Sequence, residues 1–186
     1  MTTITLSCTS SDCYSSEFDG ALYTGTTTAY VAGSPSPDDH TRVWIPFTLI
    51  LPKLTLTSAT LRVVASAAGN SAGPDFKIAA SAEDNATNPS TYADLAGKTA
   101  TTANIYPATL PSSASTEYSY DVTTIVQEIL NRSGWVYGNN MGILFITVTT
   151  DNTKRCEIAM TEHATLAEPK LDLVFPARVM RGGGLI

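Results

Sequence analysis

Charge is sparse in this 186-residue sequence: Asp, Glu, Lys and Arg make up 15%, and 17 acids against 11 bases leave a net charge of −6. Nucleic-acid binding depends on Lys and Arg neutralising phosphates, so an acidic chain with scattered bases argues against a DNA or RNA partner. The densest basic spot, Arg178 with Arg181, is too small to carry such an affinity. No apolar run approaches the length of a membrane-spanning helix, so no membrane partner is expected. The start, Met1-Thr2-Thr3-Ile4-Thr5-Leu6, lacks the basic and long apolar regions of a signal peptide. The expectation is synthesis in a cytoplasm, followed by retention, by release on lysis, or by export on a signal since removed. Cys8, Cys13 and Cys156 are an odd number at wide spacing, which is no disulfide framework. Cys8 and Cys13 could pair across a turn; the plainer reading is three small buried thiols. His40 and His163 stand far apart with no CxxC motif, so a zinc site is not expected.

What the chain does have is Thr, Ser and Ala in abundance, with 43% hydrophobic residues, enough for one sizeable core but short for two domains. Thr favours strands and Ser favours turns, which tilts the reading to all-β. From Thr41 to Leu49, Val43, Ile45 and Phe47 share one face while Arg42, Trp44 and Pro46 share the other. Pro46 lacks a ladder donor, which predicts an edge strand or a bulge. Strands are expected at 42–49, 58–66, 75–80, 142–149, 155–161 and 170–176. Met141 to Thr149 is apolar on both faces, as suits a central strand covered on both sides. Residues 83–115 are weakly patterned and read as long loops with short strands; a loop of that length is often functional.

One stretch breaks the β pattern. Val122, Ile125, Val126, Ile129 and Leu130 recur at helical spacing and predict a short helix over 122–131. Asp121 is a suitable N-cap, and Asn131 and Gly134 supply the stop. The expected core is Val43, Ile45, Phe47, Leu61, Val63, Ile125, Ile129, Ile143, Phe145, Leu171 and Leu173.

The order of these segments resembles the DNRLRE-domain family, jelly-roll modules similar to carbohydrate-binding modules. The matching pieces are Arg42-Val43-Trp44-Ile45-Pro46-Phe47 with Leu51-Pro52, then Ser58-Ala59-Thr60-Leu61-Arg62-Val63 and Asp121-Val122-Thr123-Thr124-Ile125-Val126-Gln127-Glu128. They continue with Asn139-Asn140-Met141-Gly142-Ile143 and Pro169-Lys170-Leu171-Asp172-Leu173. Asn131-Arg132-Ser133-Gly134-Trp135-Val136-Tyr137-Gly138-Asn139 resembles a variant found in extracellular proteins and in tailed-phage structural proteins. The resemblance implies an all-β jelly-roll β-sandwich of two antiparallel sheets with one short helix. The expected domain spans residues 1–177, with 178–186 as a C-terminal tail.

No nucleophile motif is present, and the acidic pairs Glu83-Asp84 and Asp38-Asp39 sit in turn-like sequence, so catalysis is not expected. Sugar binding needs exposed aromatics beside polar groups. Candidates for a glycan or subunit contact are Trp44, Arg42, Arg62, Tyr92 and Tyr106, with Tyr23 and Tyr30 also considered. Trp44 faces away from the expected core, beside Arg42 and Arg62, unless a second layer covers it, which is the favoured reading. Trp135 is expected to pack. No cofactor is expected; calcium, which such modules often carry, would take oxygen ligands from Asp or Glu and loop carbonyls, with Asp12, Glu17, Asp19 and Asp172 as the candidates. The sequons at Asn85 and Asn131 are read as accidental.

A stand-alone module of this kind leads to the expectation of a non-catalytic virion protein of a tailed phage, made in the host cytoplasm. It would pack against other virion proteins and copies of itself, as capsid decoration or tail component. The alternative is a carbohydrate-binding module for a cell-surface or extracellular glycan. Arg178, Arg181, Leu185 and Ile186 are the expected assembly contacts of the tail, its three glycines allowing close backbone approach.

Overall fold

Alternation of apolar side chains becomes two sheets packed face to face in the computed structural model, which describes residues 1–16, 19–32, 41–68, 76–109, 111–148 and 156–176. Arg178, Arg181, Leu185 and Ile186 of the tail lie outside the described residues, as do Glu17, Asp38, Asp39 and His40. The strands are β1 (Thr2–Ser7), β2 (Cys13–Ser16), β3 (Ala21–Thr24), β4 (Thr28–Ala32), β5 (Thr41–Thr48), β6 (Ser58–Val64), β7 (Phe76–Ala80), β8 (Glu117–Asp121), β9 (Asn140–Thr147), β10 (Cys156–Ala159) and β11 (Lys170–Phe175). The helices are α1 (Tyr92–Gly97) and α2 (Thr123–Asn131). One sheet runs β1-β11-β6-β8, the other β3-β2-β5-β9-β7, and β10 pairs with β4. All of these pairings are antiparallel. From β5 to β9 the chain crosses between the sheets at every step, the interleaving of a jelly roll.

The core lies between the sheets. All eleven residues expected there are fully buried, Phe47, Phe145, Leu61 and Ile129 among them. Phe76, Phe145 and Tyr120 meet at ring-centroid separations of 5.3 to 6.5 Å, the range of favourable aromatic pairs. Helix α2 closes one end of the core through Ile125, Val126, Ile129 and Leu130.

Two expectations need correction. Pro46 does not mark an edge strand, because β5 lies between β2 and β9. Pairing with β2 stops at Trp44, and the Pro46 carbonyl on that side accepts from Thr9 N instead. A strand residue directs its N–H and C=O to the same side, so the missing donor faces a gap where β2 has ended and no ladder bond is lost. Asp121 is not the N-cap of α2: that position is Val122, whose own N–H bonds to Ala59 O. Asp121 sits one residue earlier and accepts from Thr123 N at 3.0 Å and Thr123 Oγ1 at 2.5 Å. It still serves the first turn, and the bonds from Thr123 hold its carboxyl below the ordinary value against a smaller opposing effect of burial.

Among the described residues there are two helices, one more than expected. Helix α1 lies within the weakly patterned stretch, capped by Thr91 Oγ1, which accepts from Asp94 N at 3.1 Å.

Candidate functional site

Trp44 organises the outer face of the five-stranded sheet. Alternation along β5 turns it away from the core, yet it is fully buried. Its ring lies across β9 at Gly142, where a Cβ would come within 1.9 Å of the indole. Residues 82–100 pass over this face as a strap. Ala86, Leu95 and Ala100 from the strap pack with Cys13, Trp44, Ala79, Leu144 and Ile146 from the sheet in a second, smaller core. Polar groups at its margin are matched: Trp44 Nε1 donates to Asn88 Oδ1 at 3.2 Å. Arg42 Nη1 donates to Lys98 O at 3.1 Å and Leu95 O at 3.5 Å, so it closes the C-terminal end of α1.

Lys98 fastens the strap. Its buried ammonium lies 5.3 Å from the centre of the Trp44 ring, a cation–π distance. It contacts Glu83 Oε1 at 2.9 Å and donates to Thr87 O at 2.9 Å and Thr87 Oγ1 at 3.0 Å, which occupies its three protons. Burial would raise the Glu83 carboxyl, but bonds from Ser81, Lys98 and Thr87 together hold it below its ordinary value. Asp84 turns elsewhere, to Arg132 Nε at 2.7 Å, with Gly134 so close that a Cβ there would strike its carboxylate. Glu83 and Asp84 are thus held by different partners, Lys98 and Arg132.

The α2 motif has a similar architectural use. Gln127 Oε1 accepts from Leu56 N at 2.8 Å while its Nε2 donates to Leu54 O at 3.0 Å, pairing like a strand residue with the β5–β6 loop. Glu128 grips the chain just past the strap, accepting from Thr102 N at 2.9 Å and Ala103 N at 2.7 Å. Both residues line a shallow groove of about 510 Å³ beside α2 with their polar atoms already engaged.

Arg62 is not beside Trp44. It belongs to β6 of the four-stranded sheet, on the opposite outer surface. There it meets Asp172 Oδ2 at 2.8 Å and Glu117 Oε2 at 3.1 Å, while Thr5 Oγ1 also donates to Asp172. Tyr92 is half-buried on α1, and Tyr106 is 59% exposed after Ile105. The expected glycan-contact set is thus divided between two surfaces, with Trp44 removed from solvent.

The possible calcium ligands also hold separate partners. Asp12 accepts from Thr161 N and Thr161 Oγ1 at 2.9 and 2.8 Å, with its carboxyl raised by burial despite those bonds. Asp19 accepts from Tyr23 and Asp172 from Arg62. Among the described residues no group of three His, Cys, Asp or Glu is placed to hold a metal ion. Cys8, Cys13 and Cys156 are free and buried. Burial pushes the Cys13 thiol up to about 12, and burial with the neighbouring Asp12 drives Cys8 higher still, which disfavours the thiolate in both.

Tyr23 and Tyr30 were candidates in the sequence, but their gathering around Tyr14 and a second feature, an apolar end of the sandwich, were not foreseen. Tyr14 stacks on Tyr23 at 4.7 Å with Tyr30 edge-on at 5.8 Å, all three half-exposed. Ile50, Val136 and Tyr137 are 46%, 59% and 59% exposed. They occupy one end of the sandwich, where Gly138 N bonds to Leu49 O and Leu49 N to Asn139 O. The doublets Ile50-Leu51 and Trp135-Val136 were the available signal: one member of each is buried, which directs its neighbour outward.

These features define an all-β jelly-roll sandwich. In comparison with known proteins, no family model matches the chain and no curated protein shows significant similarity to it. The resemblance to DNRLRE-domain modules is carried by the dispersed motifs alone.

Proposed function

We propose that this chain is a non-catalytic structural module of a tailed-phage virion, acting by packing against other subunits. The observation that carries the packing role is a contrast. Glu83, Asp84, Asp172, Lys98, Arg132 and Arg62 are bonded to one another in ion pairs, while Ile50, Val136 and Tyr137 present apolar surface at one end of the sandwich. Exposed apolar groups gathered in one place are the usual mark of a protein contact. The virion setting comes from the motif resemblance. The test is incorporation: Val136→Ser/Tyr137→Ser should keep its melting temperature but be depleted from particles imaged with labelled protein. Normal incorporation would remove the patch from the reading. Deleting 178–186 tests the tail contact in the same assay.

The second reading, a carbohydrate-binding module, draws on the stacked Tyr14–Tyr23 pair, since a half-exposed ring can lie against a sugar face. Retention on a glycan array that Tyr23→Ala abolishes would favour it. Purified protein should hydrolyse no glycosidic, ester or peptide bond under either reading.

A further inference from the structure

The two main sheets have four outer strands, and three of them are guarded. Strand β7 is bridged by Ile105, with Ile78 N to Ile105 O at 2.9 Å and the reciprocal bond at 3.0 Å. Strand β3 has four residues between Gly20 and Gly25, both at positive φ, which end it sharply. Strand β8 carries a carboxylate at each end, Glu117 and Asp121. Short strands, covers and charges are the devices that keep sheet edges from pairing with other chains.

Strand β1 has none of them. Thr2-Thr3-Ile4-Thr5-Leu6-Ser7 is six residues long and contains no charge, proline or glycine. Cys8 N bonds to Pro169 O just beyond it, which sets the alternation of the antiparallel ladder with β11. Leu6, Ile4 and Thr2 therefore direct their backbone groups to β11. Thr3, Thr5 and Ser7 direct theirs away, and no other described segment bonds to them.

We infer that β1 is a self-association edge, on which the β1 strands of two copies pair antiparallel about a two-fold axis through Thr5. The strand is palindromic in kind about that residue. Thr3 falls opposite Ser7, Ile4 opposite Leu6, and Thr5 opposite its own copy. Hydroxyls then meet on the outer face and aliphatic side chains on the core side, as cross-strand pairing requires. Each of the pairs Thr3–Ser7, Thr5–Thr5 and Ser7–Thr3 exchanges two backbone bonds, and the four-stranded sheets join into one. The occupant is a second copy because the contact is self-complementary, as a two-fold interface must be. Charge points the same way: copies of net charge −6 repel, and an uncharged strand is where they approach at least cost. On the outer face the nearest β11 carboxylate, Asp172, is already compensated by Arg62.

The inference supplies a partner for the packing reading and rests on that reading only for its setting. The experiment uses the purified full chain, so its failure would leave virion incorporation a separate question. Sedimentation and native mass spectrometry should show a concentration-dependent dimer, with slow amide exchange at Thr3, Thr5 and Ser7. Thr3→Lys/Ser7→Lys places like charges opposite each other and should weaken the dimer by roughly tenfold or more, with an unchanged circular dichroism spectrum. Thr3→Glu/Ser7→Glu should do the same, and mixing the two variants should restore a heterodimer. A chain that stays monomeric at every concentration, a dimer indifferent to the lysine pair, or a lysine–glutamate mixture that fails to associate would each overturn the inference.

Discussion

The two sheets share one core but carry opposite outer surfaces. On the five-stranded sheet the outer residues Trp44, Leu144, Ile146 and Ala79 are apolar and lie under the strap. On the four-stranded sheet the outward positions of β1, β6, β8 and β11 include Thr3, Thr5, Thr60, Arg62, Ser119, Asp172 and Val174, half-buried or exposed. The difference is written into the strands. Strand β11, Lys170–Phe175, alternates strictly, whereas β9, Asn140–Thr147, is buried at seven consecutive positions. A strand covered on one side keeps period two, and one covered on both sides loses it.

The contrast can be broken at the roofed face first. Trp44→Ala removes the ring between strap and sheet and should destabilise the protein by about 3–5 kcal/mol, read by chemical denaturation. Gly142→Ala asks the same ring to move for a Cβ and should cost about 1–3 kcal/mol, with exchange rising in residues 82–100. Lys98→Met leaves Glu83 without its cation. The pair lies partly in solvent, so the loss should be about 1–2 kcal/mol. Arg62→Ala, on the open face, should cost no more than about 1 kcal/mol, because that ion-pair cluster is screened by water. An Arg62→Ala loss as large as that of Trp44→Ala would mean the open face is covered after all.

Acid gives a finer comparison. The Glu83 carboxyl is held below its ordinary value of 4.5, so its contribution is present above that pH. It is lost as pH falls through the lower folded value. Amides of the strap should lose protection there while the central strands β5 and β9 keep theirs. Glu83→Gln should remove most of that pH dependence.

The legible part of the sequence was the part with long, clean periodicity. Strands β5, β6, β7, β9, β10 and β11 and helix α2 all form where apolar spacing placed them, within the few residues by which boundaries drift. Strands β2, β3 and β4 have four or five residues each, too few for a period to stand out. Strand β1 does alternate, but half of its pattern is Thr, which reads neither as core nor as surface. Helix α1 is six residues long with a single buried side chain, Leu95.

The candidate site was less legible for a physical reason. The identity of Trp44, Arg42 and Arg62 showed which groups could bind something, and alternation along β5 correctly turned Trp44 away from the core. Whether that direction led to solvent depended on the strap, whose residues reach β5 only through a long-range crossing. Chain order alone fixed composition, the two-sided burial of β9 and the apolar stripe of α2, because these depend on neighbours a few residues apart. The roof over Trp44, the placing of Arg62 on the opposite surface and the open edge at β1 were decided by packing of segments distant in sequence. A residue's local pattern sets the direction of its side chain; what the side chain meets there is set by the rest of the chain.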